Sequence, residues 1–303
     1  MAEKPGLRPA KPVGQALAAF GHGILSEART AIDSTAKPDA AAVHDFRKAM
    51  KRWRAFLRLL EPIVGLDARR LRDIARELAR ELAAARDSQS ALDALDDIAG
   101  HDGALTPHTV ASIRRRLEGL REEAETVGLT DVLRERLRAA IEAGERAVDH
   151  WPLADVEFSQ VAEGLTLGYA RVRQAIPDDW SAASDEALHE LRQRIVVHRY
   201  QMPLAEPLWP RMHRLWIGES QRLRDRLGAH QDLTVLASLT DLHRPLAPWR
   251  SRILPPVEAR KAVHAEAAAR LTARLFAEKP KAVRRRLEAL WTAAGEDNGG
   301  GNA

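Results

Sequence analysis

The chain has 303 residues, which allows two compact units with substantial cores. Its content of 45% hydrophobic and 30% charged residues is typical of globular proteins and excludes general disorder. The absence of Cys excludes disulfides, thiolate catalysis and thiolate metal sites. The formal net charge is +4, and only eight of the 47 basic residues are Lys. Whether an anionic partner is expected therefore depends on where the arginines cluster.

Apolar residues recur at spacings of three and four along the chain, which predicts an all-α fold. Prolines mark several helix starts and ends, and Trp151-Pro152 separates two halves. The predicted helices span residues 13–32, 39–60, 66–98, 106–127, 130–150, 157–176, 184–202, 210–240, 257–277 and 280–294.

We expect residues 1–12 to be a flexible segment and the glycine-rich residues 295–303 to be a disordered tail. No run of about 18 apolar residues is present, and the N-terminal stretch has no apolar signal core. These features predict a cytoplasmic protein that does not bind membranes.

A shift of 145 residues aligns the two halves of the chain. It places Val43 to Arg47 on Leu188 to Arg192, matching an apolar residue, His, an acid, an apolar residue and Arg in order. The same shift aligns Arg54 with Arg199 and Asp87 with Asp232. We therefore expect two related helical bundles, at 13–150 and 151–294, about a pseudo-twofold axis.

The predicted helix from Asp39 has one apolar stripe and an opposite face rich in cations. Asp45 is its only acid between Val43 and Leu60. Like charges three or four residues apart destabilise a helix by a few tenths of a kcal/mol per pair. This basic face carries His44, Arg47, Lys48, Lys51, Arg54 and Arg58.

A basic helix face is often simply solvated, or neutralised by acids from neighbouring helices. The repeat favours another interpretation, because His189, Arg192 and Arg199 occupy equivalent positions in the second half. Two basic faces across one cleft would repel each other until an anionic ligand fills the space. Arginine suits such a ligand because its planar fork holds phosphate oxygens with two hydrogen bonds.

These residues resemble the signatures of the CHAD family, the conserved-histidine α-helical domain. The first family signature is matched throughout by His44, Arg47, Lys48, Lys51, Arg52 and Arg54. The second signature is matched by His189, Arg192, Arg199 and Tyr200. It departs at Gln193 and Val196, where the family usually has cations, so we expect binding through the second half either to be weaker or to use Arg194 and His198 instead. A later family element is intact at residues 227–233 and degenerate at 82–87.

The resemblance implies two pseudo-symmetric four-helix bundles around a basic central groove that binds inorganic polyphosphate, with association with polyphosphate granules. Some relatives carry a triphosphate-tunnel catalytic domain, but its Glu-x-Glu-x-Lys signature is absent here. The implied protein is a stand-alone, non-catalytic binding module. The expected polyphosphate contacts are His44, Arg47, Lys48, Lys51, Arg52, Arg54, Arg58, Arg173, His189, Arg192, Arg194, His198, Arg199, Tyr200, Arg214 and Arg222.

Asp87 and Asp232 are expected to orient groove arginines, although each could instead cap a helix or pair locally. The family often places Tyr and Arg near the groove on the first helix of the second half, here Tyr169, Arg171 and Arg173. Core packing of Tyr169 and solvent exposure of Arg171 are the alternatives. We expect no cofactor and no metal site, because no His-x-x-x-His or tight acidic cluster occurs. Nucleic-acid binding, an accessory role beside phosphoanhydride-metabolising enzymes and catalysis on phosphoanhydrides stay open as alternatives.

Overall fold

The computed structural model describes residues 5–34, 38–82, 86–101, 105–124 and 129–299. Within these ranges all regular secondary structure is helical, which confirms the all-α prediction. The α-helices are α1 Val13–Asp33, α2 Asp39–Val64, α3 Leu66–Glu81, α4 Arg86–Ala99, α5 Pro107–Ala124, α6 Asp131–His150, α7 Phe158–Gln174, α8 Asp185–Gln201, α9 Pro210–Ser238, α10 Arg250–Leu275 and α11 Pro280–Gly299. Short 3-10 helices span Met202–Leu208 and Ala247–Trp249.

Helix α2 runs through Pro62 to Val64, although we expected this proline to end it near residue 60. Pro62 lies in the last turn, where its missing N–H removes one backbone bond. The helix ends instead at Gly65, whose φ of 62° is in the left-handed region. The Gly65 N–H donates to the Glu61 carbonyl at 3.0 Å, and α3 begins immediately afterwards.

Two other helix boundaries differ from the prediction. The single helix expected over 66–98 is two helices, α3 and α4. Helix α10 begins at Arg250 rather than at residue 257, so it contains Pro255 and Pro256. Ile253 and Val257 flank these prolines and are fully buried, so packing offsets the lost backbone bonds.

Both termini of the described chain pack on the helices. Leu7 is fully buried, and its N–H donates to the carbonyl of Leu204 at 2.8 Å. At the other end, α11 continues to Gly299, and Gly295 lies beside Pro9. Leu7 therefore anchors the first described segment on the helices, and helix extends into the expected tail as far as residue 299.

The 145-residue shift relates helices as well as sequence motifs. It places α1 and α2 on α7 and α8, and α5 and α6 on α10 and α11. The broken pair α3 and α4 falls on the single long helix α9. This correspondence is consistent with two pseudo-symmetric halves.

The buried apolar side chains form two clusters. The larger one joins α1, α2, α3 and α6 to helices of the second half. The smaller one packs Leu95 of α4 and Ile113 of α5 against Leu233, Ile253 and Val257 of α9 and α10. Both cores contain helices from both halves, so they do not divide at the expected boundary near residue 150.

Helices α2, α7 and α8 are in direct contact. Gln201 at the end of α8 is buried, and its Nε2 donates to the carbonyl of Ala55 in α2 at 3.0 Å. Gly164 of α7 lies against Leu59 of α2, where a Cβ would be 2.7 Å from Leu59 Cδ1. These contacts hold together the basic faces of the two halves. Among the described helices, none has the length and apolar character needed to cross a bilayer.

Candidate functional site

Helix α2 presents its basic residues along the side opposite its core contacts. Phe46, Trp53 and Leu57 are buried. His44 and Lys48, near the start of the helix, are exposed, while the basic residues of its middle part are half-buried. The amphipathic pattern of the sequence therefore predicted the orientation of this helix.

Arg58 is closely surrounded by other cations. Burial lowers its pKa to about 10, and the positive charges of four neighbouring arginines add to this effect. These neighbours come from α2, α3, α7 and α8 and are Arg54, Arg72, Arg171 and Arg194. We call these five residues the arginine cluster. Arg58 stays protonated at neutral pH, so the fold holds a like-charge concentration at this point.

One carboxylate fixes the edge of the arginine cluster. Glu61 accepts a hydrogen bond from Arg69 Nε at 2.5 Å and another from Arg72. Burial tends to raise the pKa of Glu61, but the hydrogen bonds from Arg72 and Arg69 outweigh it, and the pKa is lowered. Glu61 is therefore an anion at neutral pH that holds Arg72 beside Arg58.

The remaining acids compensate the arginine cluster only in part. Arg194 Nη2 donates to Glu190 Oε1 at 2.8 Å. Neither Arg54, Arg58 nor Arg171 has an ion pair with any described residue within 4.0 Å. Three cations thus lack a close carboxylate, which leaves hydrogen-bonding capacity for an anionic ligand.

Arg54 and Arg199 occupy equivalent positions in the repeat and behave alike. Both have a buried Nε with no hydrogen-bond partner among the described residues. Burial lowers the pKa of each side chain. Arg76 and Arg72 add to this effect at Arg54, and Arg224 adds to it at Arg199. The Arg199 guanidinium also lies over the ring of Tyr200, 4.3 Å from its centroid.

Arg47 and Arg192 form a second equivalent pair, and each packs on the following helix of its own half. Arg47 Nη1 donates to the carbonyl of Leu82, at the end of α3. Arg192 is buried against Gly228 of α9, where a Cβ would be 3.7 Å from its Nε. The 145-residue shift places Leu82 on Leu227, the residue just before Gly228. The two arginines therefore contact adjacent positions of the repeat.

The two signature histidines lie in different surroundings. His44 is exposed, whereas His189 is half-buried and lines an open cleft between α8 and α9. Asp185, Glu186 and Glu190 line the same cleft. The structure therefore gives His189 mainly acidic neighbours, and Arg194 of the arginine cluster lines the same cleft.

His198 belongs to the core. It is 2% exposed, and burial lowers its pKa to about 4, so it is neutral at physiological pH. Its Nε2 accepts a hydrogen bond from Trp216 Nε1 at 3.3 Å. Tyr169 and Phe276 pack edge-on against the imidazole ring. The structure thus provides no cation at His198 to replace the family cation absent at Val196.

Several other candidate residues are engaged outside the arginine cluster. Arg173 Nη1 donates to the carbonyl of Glu278 at 2.9 Å, in the turn between α10 and α11. The remaining pairs are Arg52 with Glu27, Arg214 with Glu206 at 3.9 Å and Arg222 with Glu219 at 2.8 Å. These cations are partly neutralised by their own neighbours.

The surroundings of the two candidate orienting acids cannot be compared, because only one of the two side chains is described. Asp232 is half-buried on α9, while the Asp87 side chain lies outside the described part of the chain.

Sequence reasoning missed Arg72. Its signal was present in the spacing of Arg69, Arg72 and Arg76 along one face of α3, but acids are interleaved there.

The chemistry available at the arginine cluster is anion binding. Its guanidinium groups offer many hydrogen-bond donors and stay protonated at neutral pH. No group of three or more His, Asp or Glu residues in the described ranges could hold a metal ion.

Comparisons with known proteins identify the family. The family model described as the CHAD domain matches residues 21–241. The crystal structure of the CHAD domain from the plant Ricinus communis is similar, with a TM-score of 0.56 and 18% identity. That similarity covers 95% of this chain and 96% of the plant domain. A search of curated proteins gave no match. The chain belongs to the CHAD domain family.

Proposed function

We propose that the protein binds inorganic polyphosphate, without catalysis, in a groove lined by Arg, Lys and His. The observation that carries this proposal is Arg58, a half-buried cation surrounded by four further arginines. Such a concentration of positive charge is relieved when an anion with several charges binds. Family membership supports the same conclusion through the signatures at His44 to Arg54 and His189 to Tyr200.

The proposed groove is centred on the arginine cluster and continues along α2. Lys51, Lys48 and His44 would extend it toward the start of α2, and Arg199 would extend it along α8. His198 and Arg173 contribute to packing rather than to ligand contact in this proposal. Because Gln193 and Val196 replace two cations of the family pattern, the first half supplies most of the binding energy.

Polyphosphate fits this surface better than a nucleic acid does. Single-stranded nucleic acids are usually held by aromatic side chains on which bases stack. Tyr200 is stacked by Arg199, so that face of its ring is already covered. A chain of phosphates needs only hydrogen-bond donors and charge, which arginine supplies.

Competition binding tests the choice of ligand. Long-chain polyphosphate, single-stranded RNA and double-stranded DNA would compete at one fixed salt concentration, since affinities for polyanions depend on salt. We expect polyphosphate to bind most tightly. Preference for RNA would overturn the proposal in favour of the nucleic-acid alternative.

Charge reversal tests the location of the site. We expect Lys51→Glu with Arg54→Glu to weaken polyphosphate binding by roughly a hundredfold, because two charge-assisted contacts become repulsive. Circular dichroism would confirm that the variant is folded, and Arg270→Glu on the exposed face of α10 is the matched control. Unchanged affinity in the folded double variant would rule out this face.

Measuring phosphate release distinguishes a binding protein from an enzyme that cleaves phosphoanhydrides. Phosphate release from long-chain polyphosphate, measured with and without a divalent metal, should stay at the background rate. Release that depends on the protein would instead favour an enzyme. Granule targeting and an accessory role beside phosphoanhydride-metabolising enzymes are compatible with binding, and localisation of the tagged protein in cells with and without polyphosphate would test the first.

A further inference from the structure

The outer seam between α7 and α11 differs from the equivalent seam of the first half. Between α1 and α6, His22 pairs with Asp149 at 2.9 Å and Arg29 with Glu145 at 2.7 Å. The 145-residue shift places Leu167 and Ala294 at the positions of the first pair. It places Gln174 and Leu290 at the positions of the second. Side chains that cannot form ion pairs thus stand where the first half has a His–Asp hydrogen bond and an Arg–Glu ion pair.

An open cleft of about 580 Å³ lies between α7 and α11. Leu167 is 39% exposed and is the one large apolar side chain among the residues that line this cleft. The cleft lining consists of Glu163, Thr166, Leu167, Lys281, Arg284, Arg285 and Glu288. Its volume is in the range of pockets that hold a ligand or a peptide side chain.

The lining of this cleft carries three cations, Lys281, Arg284 and Arg285, and two acids, Glu163 and Glu288. Arg284 pairs with Glu288 at 2.9 Å, and Arg286 pairs with Glu278. Lys281 and Arg285 are exposed and have no hydrogen bond or ion pair to a described residue. These two side chains are therefore available to an external carboxylate.

We propose that this cleft docks an acidic peptide segment of a partner protein. An apolar side chain of the segment packs on Leu167, and its carboxylates pair with Lys281 and Arg285. The two unpaired cations favour a peptide with carboxylates, and the exposed leucine favours a peptide with an apolar side chain between them.

A uniformly charged polyanion fits the same cleft poorly. Two of its lining side chains, Glu163 and Glu288, are acids, so it has no unbroken basic surface for a phosphate chain. A peptide, in contrast, can place separate carboxylates at Lys281 and Arg285. A phosphate chain also has no apolar group to cover Leu167. None of the lining residues belongs to the arginine cluster, so this proposal is independent of polyphosphate binding.

Selection from a peptide library tests the proposal. A phage-displayed library of random peptides about four helical turns long would be selected on the full-length protein. Saturating long-chain polyphosphate would be present to cover other basic surfaces. Enriched peptides would then be synthesised with a fluorescent label, and their dissociation constants measured by anisotropy. The variants are Lys281→Gln with Arg285→Gln, and Leu167→Ser, with Arg270→Gln as the matched surface control.

We expect the enriched peptides to be acidic and to share an apolar residue. Their affinity should fall about tenfold or more in both cleft variants and stay unchanged in the control, since each variant removes one class of contact. All substituted side chains are exposed, so the variants should fold, and circular dichroism would check this. The proposal is overturned if no peptide is enriched, if the selected peptides lack acids, or if the cleft variants bind them normally.

Discussion

At the scale of single residues, Arg58 is placed where it opposes stability. A half-buried guanidinium among four others loses hydration and gains repulsion, which is why its pKa is lowered. Groups that reduce stability in this way are typical of binding sites, where the ligand supplies the missing interaction. Arg58 is therefore expected to matter for binding more than for folding.

Replacing Arg58 by Gln separates these two contributions. We expect the thermal midpoint of the ligand-free protein to stay unchanged or rise, because a repelled charge is removed. Polyphosphate affinity should fall about tenfold or more, as expected for one lost charge-assisted contact. Thermal denaturation and binding titration measure the two quantities.

The matched control for Arg58 is Arg270, which is exposed and pairs with Glu266 on its own helix. Arg270→Gln should change neither quantity appreciably, since exposed pairs contribute little. A lower midpoint for Arg58→Gln together with unchanged binding would show that Arg58 is a structural residue.

At the scale of helices, α2 was predictable because its signal is local. The apolar spacing fixes which face is buried, and the cations then project to the other side. Arg72 could not be assigned to the site from its own helix, because α3 mixes acids and bases. Its role depends on Gly65, which turns the chain so that Glu61 meets Arg69 and Arg72.

The helix boundaries show the limits of local signals in another way. Pro62 and Pro255 favour helix ends in isolation, yet both lie inside helices. The buried residues around them, such as Leu60 and Ile253, make enough core contact to outweigh the lost backbone bonds. Such tertiary contributions are absent from a sequence pattern.

The close approach of α7 to α2 gives a prediction at this scale. Gly164→Ala should destabilise the protein by about 1–3 kcal/mol, because the new methyl group would overlap Leu59. Gly218→Ala on α9 is the control, since no atom lies within 4 Å of its Cβ position. It should stabilise the protein by about 1 kcal/mol through helix propensity.

Denaturant unfolding of both glycine variants measures the difference. If Gly164→Ala were as stable as the wild type, α7 and α2 would be farther apart than described. Weaker polyphosphate binding by a folded Gly164→Ala variant would additionally indicate that the spacing of α2 and α7 sets the position of Arg171 relative to Arg58.

At the scale of the whole molecule, the halves share their cores. The smaller core unites α4 and α5 with α9 and α10, and a partly buried hydrogen-bond network crosses the same boundary. Asp97 of α4 accepts hydrogen bonds from Arg260 Nη2 at 2.7 Å and from His264 Nε2 at 2.8 Å. The sequence repeat predicted two similar halves, but not this exchange of contacts, since partner choice between similar helices leaves no local pattern.

Shared cores predict that neither half folds alone. Residues 1–150 and 151–303, expressed separately, should lack a cooperative unfolding transition, because each exposes the apolar face that the other covers. Coexpression should restore a single transition, measured by circular dichroism on the copurified pair. A cooperative transition in the isolated 1–150 fragment would support two autonomous bundles instead.

The single smaller core also constrains how such a chain could arise by duplication. A half-length precursor would carry an α4–α5 hairpin whose apolar surface was not buried by any other part of its own chain. Two copies meeting face to face would bury that surface, and the later fusion of the copies would make the pairing permanent. On this view the present chain would preserve a homodimer interface as its interior.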